Sequence, residues 1–301
     1  MPVEIMSDLP RQNCVTRFAP SPNGPLHLGH ALSAFMNADM ARENQGRFLL
    51  RIEDIDQTRC TPQFEQDIYD DLSWLGLSWE QPVRRQSQHF DDYRLALEKL
   101  VAMDLAYPAF LTRGEVKAIV KASEAGGTPW PRDPDGAAHY PDSDKLRSSA
   151  ERQSRLAANA PFAWRLNMQK AIAQLDEPLF WDEFGSGQHQ TIKADPAQWG
   201  DVVLSRSDAP SSYHLSVVLD DALQGITDVV RGMDLYHATA IHRLLQQLLN
   251  LPAPNYRHHR LILGDDGRKL SKSEGGTGLA ALRAMGKTPS DIHRQLLLEI
   301  G

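Results

Sequence analysis

The sequence predicts an α/β fold built on a parallel sheet and interrupted by an inserted subdomain. Three observations predict it. A strand pattern at Val15–Phe18 breaks into a Pro- and Gly-rich loop and restarts as a helix. A second apolar run, GRFLLRI at Gly46–Ile52, completes a βαβ unit. A further series of strand and helix patterns starts near Asp201, after a stretch of quite different composition.

The elements follow in order. Pro20, Pro22, Gly24 and Pro25 cannot continue the first strand. Leu28, Ala31, Leu32, Phe35 and Met36 then recur at helical spacing. Strand, helix, strand implies a right-handed crossover, with a ligand at the carboxyl ends of the strands, where Arg17–Ser21 and Glu53–Asp56 emerge. Thr61 and Pro62 read as N-cap and first residue of a helix with Phe64, Ile68, Leu72 and Leu75 on one face. Trp74 and Trp79 read as packing residues, and Asp91–Asp104 as another amphipathic helix.

Near Tyr107 the character changes. Residues 122–144 are rich in Gly, Pro, Ala and charge and read as irregular structure. Lys145–Asn159 reads as a polar helix, and Phe162–Leu166 and Pro178–Trp181 as strands. Beyond Asp201, VVLSR reads as a strand, Tyr213–Leu223 as a helix, Ile226–Gly232 as a strand and Leu235–Leu249 as a helix. NYRHHRLIL then leads into a Gly-rich loop carrying two lysines. The expected layout is a first half at 1–106, an insertion at 107–195, a second half at 196–260 and a loop with a C-terminal segment at 261–301.

Composition narrows the class. Hydrophobic content of 41% and charged content of 24% suit a globular protein with a sizeable core. No apolar run is long enough to span a membrane, and the N-terminal residues lack the basic start and apolar run of a signal peptide. Two cysteines suggest a reducing compartment without a disulfide framework, so a cytoplasmic location is expected. A net charge of −7 argues against coating nucleic acid through bulk positive charge. A local basic face remains open to RNA, with Arg84 and Arg85, or His258, His259 and Arg260, as candidates beside ordinary solvated surface.

Two stretches carry chemistry. In TRFAPSPNGPLHLGHA, His27 and His30 lie three apart at a helix start, so they share a face and can donate to phosphate alongside the helix N–H groups. Gly29 lets a flat ligand approach the backbone. In KLSKS, Lys269 and Lys272 sit on a loop able to fold over a triphosphate. Either stretch alone has an ordinary structural explanation.

Together they carry a resemblance. RFAPSPNGPLHLGH followed by KLSKS resembles the paired signatures of class I aminoacyl-tRNA synthetases. RIEDID at Arg51–Asp56 and SYHLSVVLDDALQGITDVVRGMDL at Ser212–Leu235 make the chain similar to the glutamyl-tRNA synthetase family. Only 28 residues follow Ser273, so the resemblance is to short paralogues lacking an anticodon-binding domain. It implies a Rossmann-like nucleotide-binding domain whose insertion meets RNA. It also implies activation of L-glutamate by ATP with Mg²⁺, without tRNA, and transfer to the queuosine base in the anticodon loop of tRNA(Asp). A monomer is expected. Such a reaction needs no protein nucleophile, because the substrate carboxylate attacks phosphorus; positioning and charge stabilisation suffice.

The same resemblance assigns roles. His27, His30, Lys269 and Lys272 would be catalytic, with Gly29, His27, His30 and Lys272 on ATP. Arg17, Phe18, Ala19, Pro20, Ser21, Glu53, Tyr213 and Arg231 would form the glutamate pocket. Arginines can take carboxylates in bidentate fashion and Glu53 can pair with the ammonium. The alternative for Arg17 is a structural ion pair with Asp54 or Asp56. The short paralogues often hold zinc in the insertion on three cysteines and a tyrosine. Here Ala109, Leu111 and Asp144 stand at the cysteine positions, with Tyr140 retained, so no metal and an insertion held by ordinary packing are expected. Rival readings are a shortened glutamyl-tRNA synthetase charging a tRNA 3′ end, a catalytically dead binding module, and a small-molecule nucleotidyltransferase. The last does not explain RIEDID together with VVRGMDL.

Overall fold

The computed structural model describes residues 13–206, 209–262 and 278–300. In the first half, strands β1 (Val15–Phe18), β2 (Arg47–Ile52) and β3 (Glu80–Arg85) alternate with helices α1 (Leu28–Glu43), α2 (Pro62–Trp74) and α3 (Phe90–Ala102). They pair in parallel in the order β1-β2-β3. Gly46 is required at the turn into β2, because a Cβ there would lie 2.0 Å from the Cys14 carbonyl oxygen. Thr61 caps α2, accepting from the Phe64 N–H, with Pro62 at the first position as expected.

The chain continues through β4 (Ala106–Ala109), α4 (Arg113–Ala125), α5 (Ser149–Ala157), β5 (Ala163–Leu166), α6 (Met168–Ala173), β6 (Phe180–Glu183), β7 (Gln190–Lys193) and β8 (Val203–Arg206). The rest comprises α7 (Tyr213–Leu223), β9 (Asp228–Gly232), α8 (Thr239–Leu249), β10 (Asn255–His259), α9 (Leu279–Ala284) and α10 (Pro289–Ile300). Strand pairing cuts across the expected boundary at 195/196. β8 joins β4 and β5 in an antiparallel sheet, whereas β6 runs parallel to β10 in the sheet β7-β6-β10-β9. β3, β4, β7 and β10 and helices α4 and α6 went unread as elements, being short or polar. The expected polar helix shrinks to α5, which starts at a Ser148–Glu151 capping box.

Val15 N–H donates to Thr227 Oγ1 (2.8 Å) and Thr227 N–H to the Val15 carbonyl (3.0 Å), so the start of β1 lies against the entry to β9. From this seam the chain winds outward through β1-β2-β3 on one side and β9-β10 on the other. The seam is thus a topological switch point, where ligands of α/β sheets bind. Alternation along β2 divides the core: Phe48, Leu50 and Ile52 join Ile68, Leu72 and Ile292 on one face, while Leu49 joins Leu97, Leu215 and Leu244 on the other.

The insertion is held by more than ordinary packing. Asp144 is fully buried, and its carboxylate accepts from the Phe110 N–H (2.6 Å), the Leu111 N–H (3.2 Å), the Tyr140 hydroxyl and Arg147 Nε (2.6 Å). Burial pushes its pKa up, but the Tyr140 and Arg147 hydrogen bonds outweigh this and hold it below the ordinary carboxylate range. These residues do not fit zinc. Ala109 and Leu111 offer no ligating side-chain atom and the Asp144 oxygens are already engaged. Among the described residues no group of three or more His, Cys, Asp or Glu is placed to hold a metal. Asp144→Ala is expected to destabilise the fold by about 3 kcal/mol, read as a lower urea midpoint, because four donors lose one acceptor. A chelator is expected to leave the wild-type midpoint unchanged, with less than stoichiometric zinc on elemental analysis.

Candidate active site

The carboxyl ends of β1 and β9 open onto a cavity of about 560 Å³. Arg17, Phe18, Ala19, Pro20, Ser21, His27, Gly29, His30, Glu53, Tyr213 and Arg231 all line it. The structure thus brings together every proposed site residue except Lys269 and Lys272, which lie outside the described residues.

His27 is the N-cap of α1, and its Nδ1 accepts from the Gly29 N–H (3.1 Å). His30 Nδ1 reaches back to accept from the His27 N–H (3.1 Å). With both Nδ1 atoms accepting, neutral rings carry their protons on Nε2. The rings lie 3.9 Å apart between centroids. The Gly29 N–H is taken by His27, so that helix amide is not open to a ligand. A Gly29 Cβ would come within 3.1 Å of the His27 ring, so this glycine leaves space for the imidazole as well as for a ligand.

Arg17 does not pair with Asp54 or Asp56. Asp54 accepts from the Ser87 N–H and hydroxyl, and Asp56 from Thr58 and Arg59. The partner of Arg17 is Asp221, with Nε to Oδ1 at 2.9 Å. Asp221 also accepts from Arg51 (2.8 Å), and Arg51 donates to Glu53 (3.1 Å) and Gln224 (3.0 Å). Burial pushes Glu53 up from its ordinary pKa, against the pull of Arg51 and Arg17. Burial also pushes Asp221 up, but there the two arginines win and hold it low. The two carboxylates thus end on opposite sides of their ordinary values beside the same pair of arginines.

Neither suggested basic cluster is a patch of unpaired exposed charge. Arg84 pairs with Asp220 (2.7 Å) and Asp92 (2.9 Å), and Arg85 with Glu65 (2.6 Å). His258 and His259 are buried, leaving Arg260 as the exposed member of its group. His258 belongs to the shell around Arg231. That guanidinium donates to His258 Nε2 (3.0 Å), His242 Nδ1 (3.0 Å), Thr239 Oγ1 (2.7 Å), the Leu235 carbonyl (3.2 Å) and, at 3.4 Å, the Tyr213 hydroxyl. His242 Nε2 in turn faces His214 Nδ1 at 3.2 Å.

Burial and Arg231 lower the His214 pKa to about 4. In the unfolded chain a histidine titrates near ~6.5. Between these values the unfolded chain binds a proton that the native state refuses, so stability is lost as pH falls through that window. The urea midpoint is expected to be lower at about pH 5 than at about pH 7, and His214→Asn to remove part of that slope.

Residues 13–298 match a family model described as tRNA synthetases class I (E and Q), catalytic domain. The chain belongs to this family. It is 45% identical over 284 residues to a protein of Rhodobacter capsulatus named glutamyl-Q tRNA(Asp) synthetase, covering 93% of this chain and 98% of that one. It is 36% identical to the glutamate–tRNA ligase of Aquifex aeolicus, covering 94% of this chain but 56% of that one. A crystal structure of a glutamate tRNA ligase from Elizabethkingia meningosepticum in complex with its amino acid superposes with a TM-score of 0.75 at 29% identity, covering 92% of this chain and 59% of that one. The catalytic α/β fold is therefore that of the class I synthetases, a family of ligases.

Within this synthetase, sequence reasoning missed the residues behind the pocket: Arg51, Asp220, Asp221, Glu183, His242 and His258. A signal existed for Arg51, which shares its strand face with the core residue Leu49 and stands two positions before Glu53. Another lay in two adjacent aspartates within the otherwise apolar run Val217–Leu223, which demand buried cations. Nothing in the pattern announced Glu183, which arrives from the insertion. A second cavity of about 480 Å³ shares Ser21, Asn23, Glu53 and Tyr213 with the first and extends to His139, Arg165, Trp199 and Arg206. Among the described residues no helix is long and apolar enough to cross a membrane.

Proposed function

We propose that this chain activates L-glutamate with ATP in the absence of tRNA, forming glutamyl adenylate, and transfers the glutamyl group to the queuosine base of tRNA(Asp). One observation carries the first half. A single cavity joins two arginines, a carboxylate and a tyrosine hydroxyl, able to bind an amino acid with a second carboxylate, to the two imidazoles at the start of α1. An oxygen of the substrate α-carboxylate attacks the α-phosphorus, the bond to the bridging oxygen breaks, and pyrophosphate leaves. His27 and His30 donate from Nε2 to phosphate oxygens as charge develops on them. Lys269 and Lys272 neutralise the departing pyrophosphate, and Mg²⁺ arrives with ATP.

The name of the Rhodobacter capsulatus relative, matched over nearly its full length, supports the second half. So does the adjoining cavity, which meets the glutamate end at Glu53 and Tyr213 and gives an unstacked nucleoside room to approach the adenylate. Its hydroxyl oxygen attacks the activated carbonyl and AMP departs. The same reading has the chain acting as a monomer in the cytoplasm, in keeping with two free cysteines.

ATP–pyrophosphate exchange with each amino acid offered in turn, without tRNA, tests the reading. Exchange with glutamate alone is the expected result, followed by glutamate transfer to tRNA(Asp) containing queuosine and none to tRNA(Asp) lacking it. Exchange only after tRNA addition would instead favour charging of a tRNA 3′ end, and no exchange under either condition a binding module.

A further inference from the structure

We propose that His258, set by Glu183, and His242, backed by His214, are positioning residues that hold Arg231 for the substrate carboxylate and do so only as neutral imidazoles. The inference rests on the glutamate reading of the cavity and extends it to residues that do not touch the ligand.

Donor accounting carries the argument. A guanidinium has five N–H groups, and Arg231 spends all of them on protein acceptors. Four of these contacts span 2.7–3.2 Å. The fifth, to the Tyr213 hydroxyl, is 3.4 Å, and Tyr213 lines the cavity. A ligand carboxylate gains access to Arg231 at this long contact, taking the fifth N–H together with the tyrosine hydroxyl. The other four fix the plane of the guanidinium, and two of their acceptors are imidazole nitrogens.

An imidazole nitrogen accepts only when it carries no proton. His258 Nε2 faces both Arg231 Nε (3.0 Å) and the Thr239 hydroxyl (3.3 Å), so its proton belongs on Nδ1. There it is held by Glu183 Oε2 at 2.6 Å. Glu183 is itself anchored, its Oε1 accepting from the His258 and Gly185 backbone N–H groups, both at 2.9 Å. His242 Nδ1 accepts from Arg231, which leaves Nε2 to donate to His214 Nδ1. Protonating either acceptor would turn a hydrogen bond into a contact between two cations.

The surroundings oppose such protonation. His258 faces Glu183 from β6, Arg231 from β9, Thr239 and Tyr236 from α8 and the segment before it, and Tyr256 and His259 on its own strand. Burial and Arg231 lower its pKa, and only Glu183 pulls the other way to a large extent. His242 faces Arg231 from β9, His214 and Tyr213 from α7, Arg17 from β1 and His258 from β10, with no carboxylate among them, and burial and Arg231 bring its pKa far below the ordinary value.

Steady-state ATP–pyrophosphate exchange on the full chain tests the proposal through the KM values for glutamate and ATP measured separately. In Glu183→Gln the amide oxygen can keep the two backbone N–H groups. The amide NH₂ then meets His258 Nδ1 and pushes the ring proton onto Nε2, against Arg231. The glutamate KM is expected to rise about 10-fold while the ATP KM stays within about 2-fold. His242→Leu is expected to behave likewise. His242→Asn is expected to recover most of that loss, because its Oδ1 can take the place of Nδ1. In the wild type the glutamate KM is expected to climb more steeply than the ATP KM only as pH falls below the ordinary histidine value of about 6.5, because both imidazoles are lowered from it. Unchanged glutamate KM in both Glu183→Gln and His242→Leu would overturn the inference, as would an ATP KM that rises in step. Absence of glutamate-dependent exchange in the wild type would overturn the glutamate reading and the inference with it. Exchange in the wild type with indifferent variants would sink the inference alone.

Discussion

Replacing Arg51 with methionine is expected to cost about 3–5 kcal/mol of folding stability and to remove glutamate binding. The side chain is 0% exposed and faces three carboxylates: Asp221 at 2.8 Å, Glu53 at 3.1 Å and Asp220 at 3.8 Å. Methionine fills a similar volume but leaves this cluster short of one positive charge. Asp220 keeps Arg84, Gln86 and Tyr93, and Asp221 keeps Arg17. Glu53 loses its hydrogen-bonded cation. Burial already raises its pKa, and losing Arg51 shifts it further toward the neutral acid, which weakens its pairing with a substrate ammonium. Urea denaturation reads the first effect as a lower midpoint at unchanged slope, and glutamate-dependent thermal stabilisation reads the second. A midpoint within about 1 kcal/mol of wild type would show that the carboxylates do not depend on this cation.

His30→Ala is expected to lower the turnover of ATP–pyrophosphate exchange about 100-fold, the size of effect found when one donor to a developing oxyanion is removed. Alanine also removes the cap on the His27 N–H, which costs about 1 kcal/mol of stability. The two roles are separable because they use different nitrogens. In His30→Asn the side-chain oxygen stands close to the position of Nδ1 and can accept from the His27 N–H, but nothing replaces Nε2. That variant is expected to keep the wild-type urea midpoint and to lose turnover as His30→Ala does. Turnover retained in His30→Asn would assign the histidine to capping alone.

The contrast between Glu53 and Asp221 shows what was legible in the sequence. The strand–loop–helix at Val15–Met36, the Thr61–Pro62 start of α2 and the helix at Tyr213–Leu223 declare themselves locally, through periodicity and capping. The cavity-lining residues were found because they lie on such elements or within short motifs. Most of their supports were not, because the partner comes from far along the chain: Arg17 meets a carboxylate 204 positions away, and His258 one 75 positions away. Arg84 and Arg85 show the opposite error. An arginine pair in a polar strand looks like exposed charge until Asp220 and Glu65 are placed beside it. Strands β6 and β8 escaped their sheets for the same reason, since pairing partners are a tertiary fact.

The seam between Val15 and Thr227 also has a kinetic side. Its partners are 212 residues apart, with the whole insertion between them. Contacts of such long range pay their loop-closure entropy before any packing rewards it, which slows folding and gives partly folded chains time to associate. During synthesis, Arg17 and Arg51 leave the ribosome long before Asp220 and Asp221. Until α7 is made, both arginines have to remain hydrated, so β1 and β2 cannot bury that face on their own. The cavity at the ends of β1 and β9 is therefore among the last parts of the protein to exist, and its completion reports that both halves of the chain have found each other.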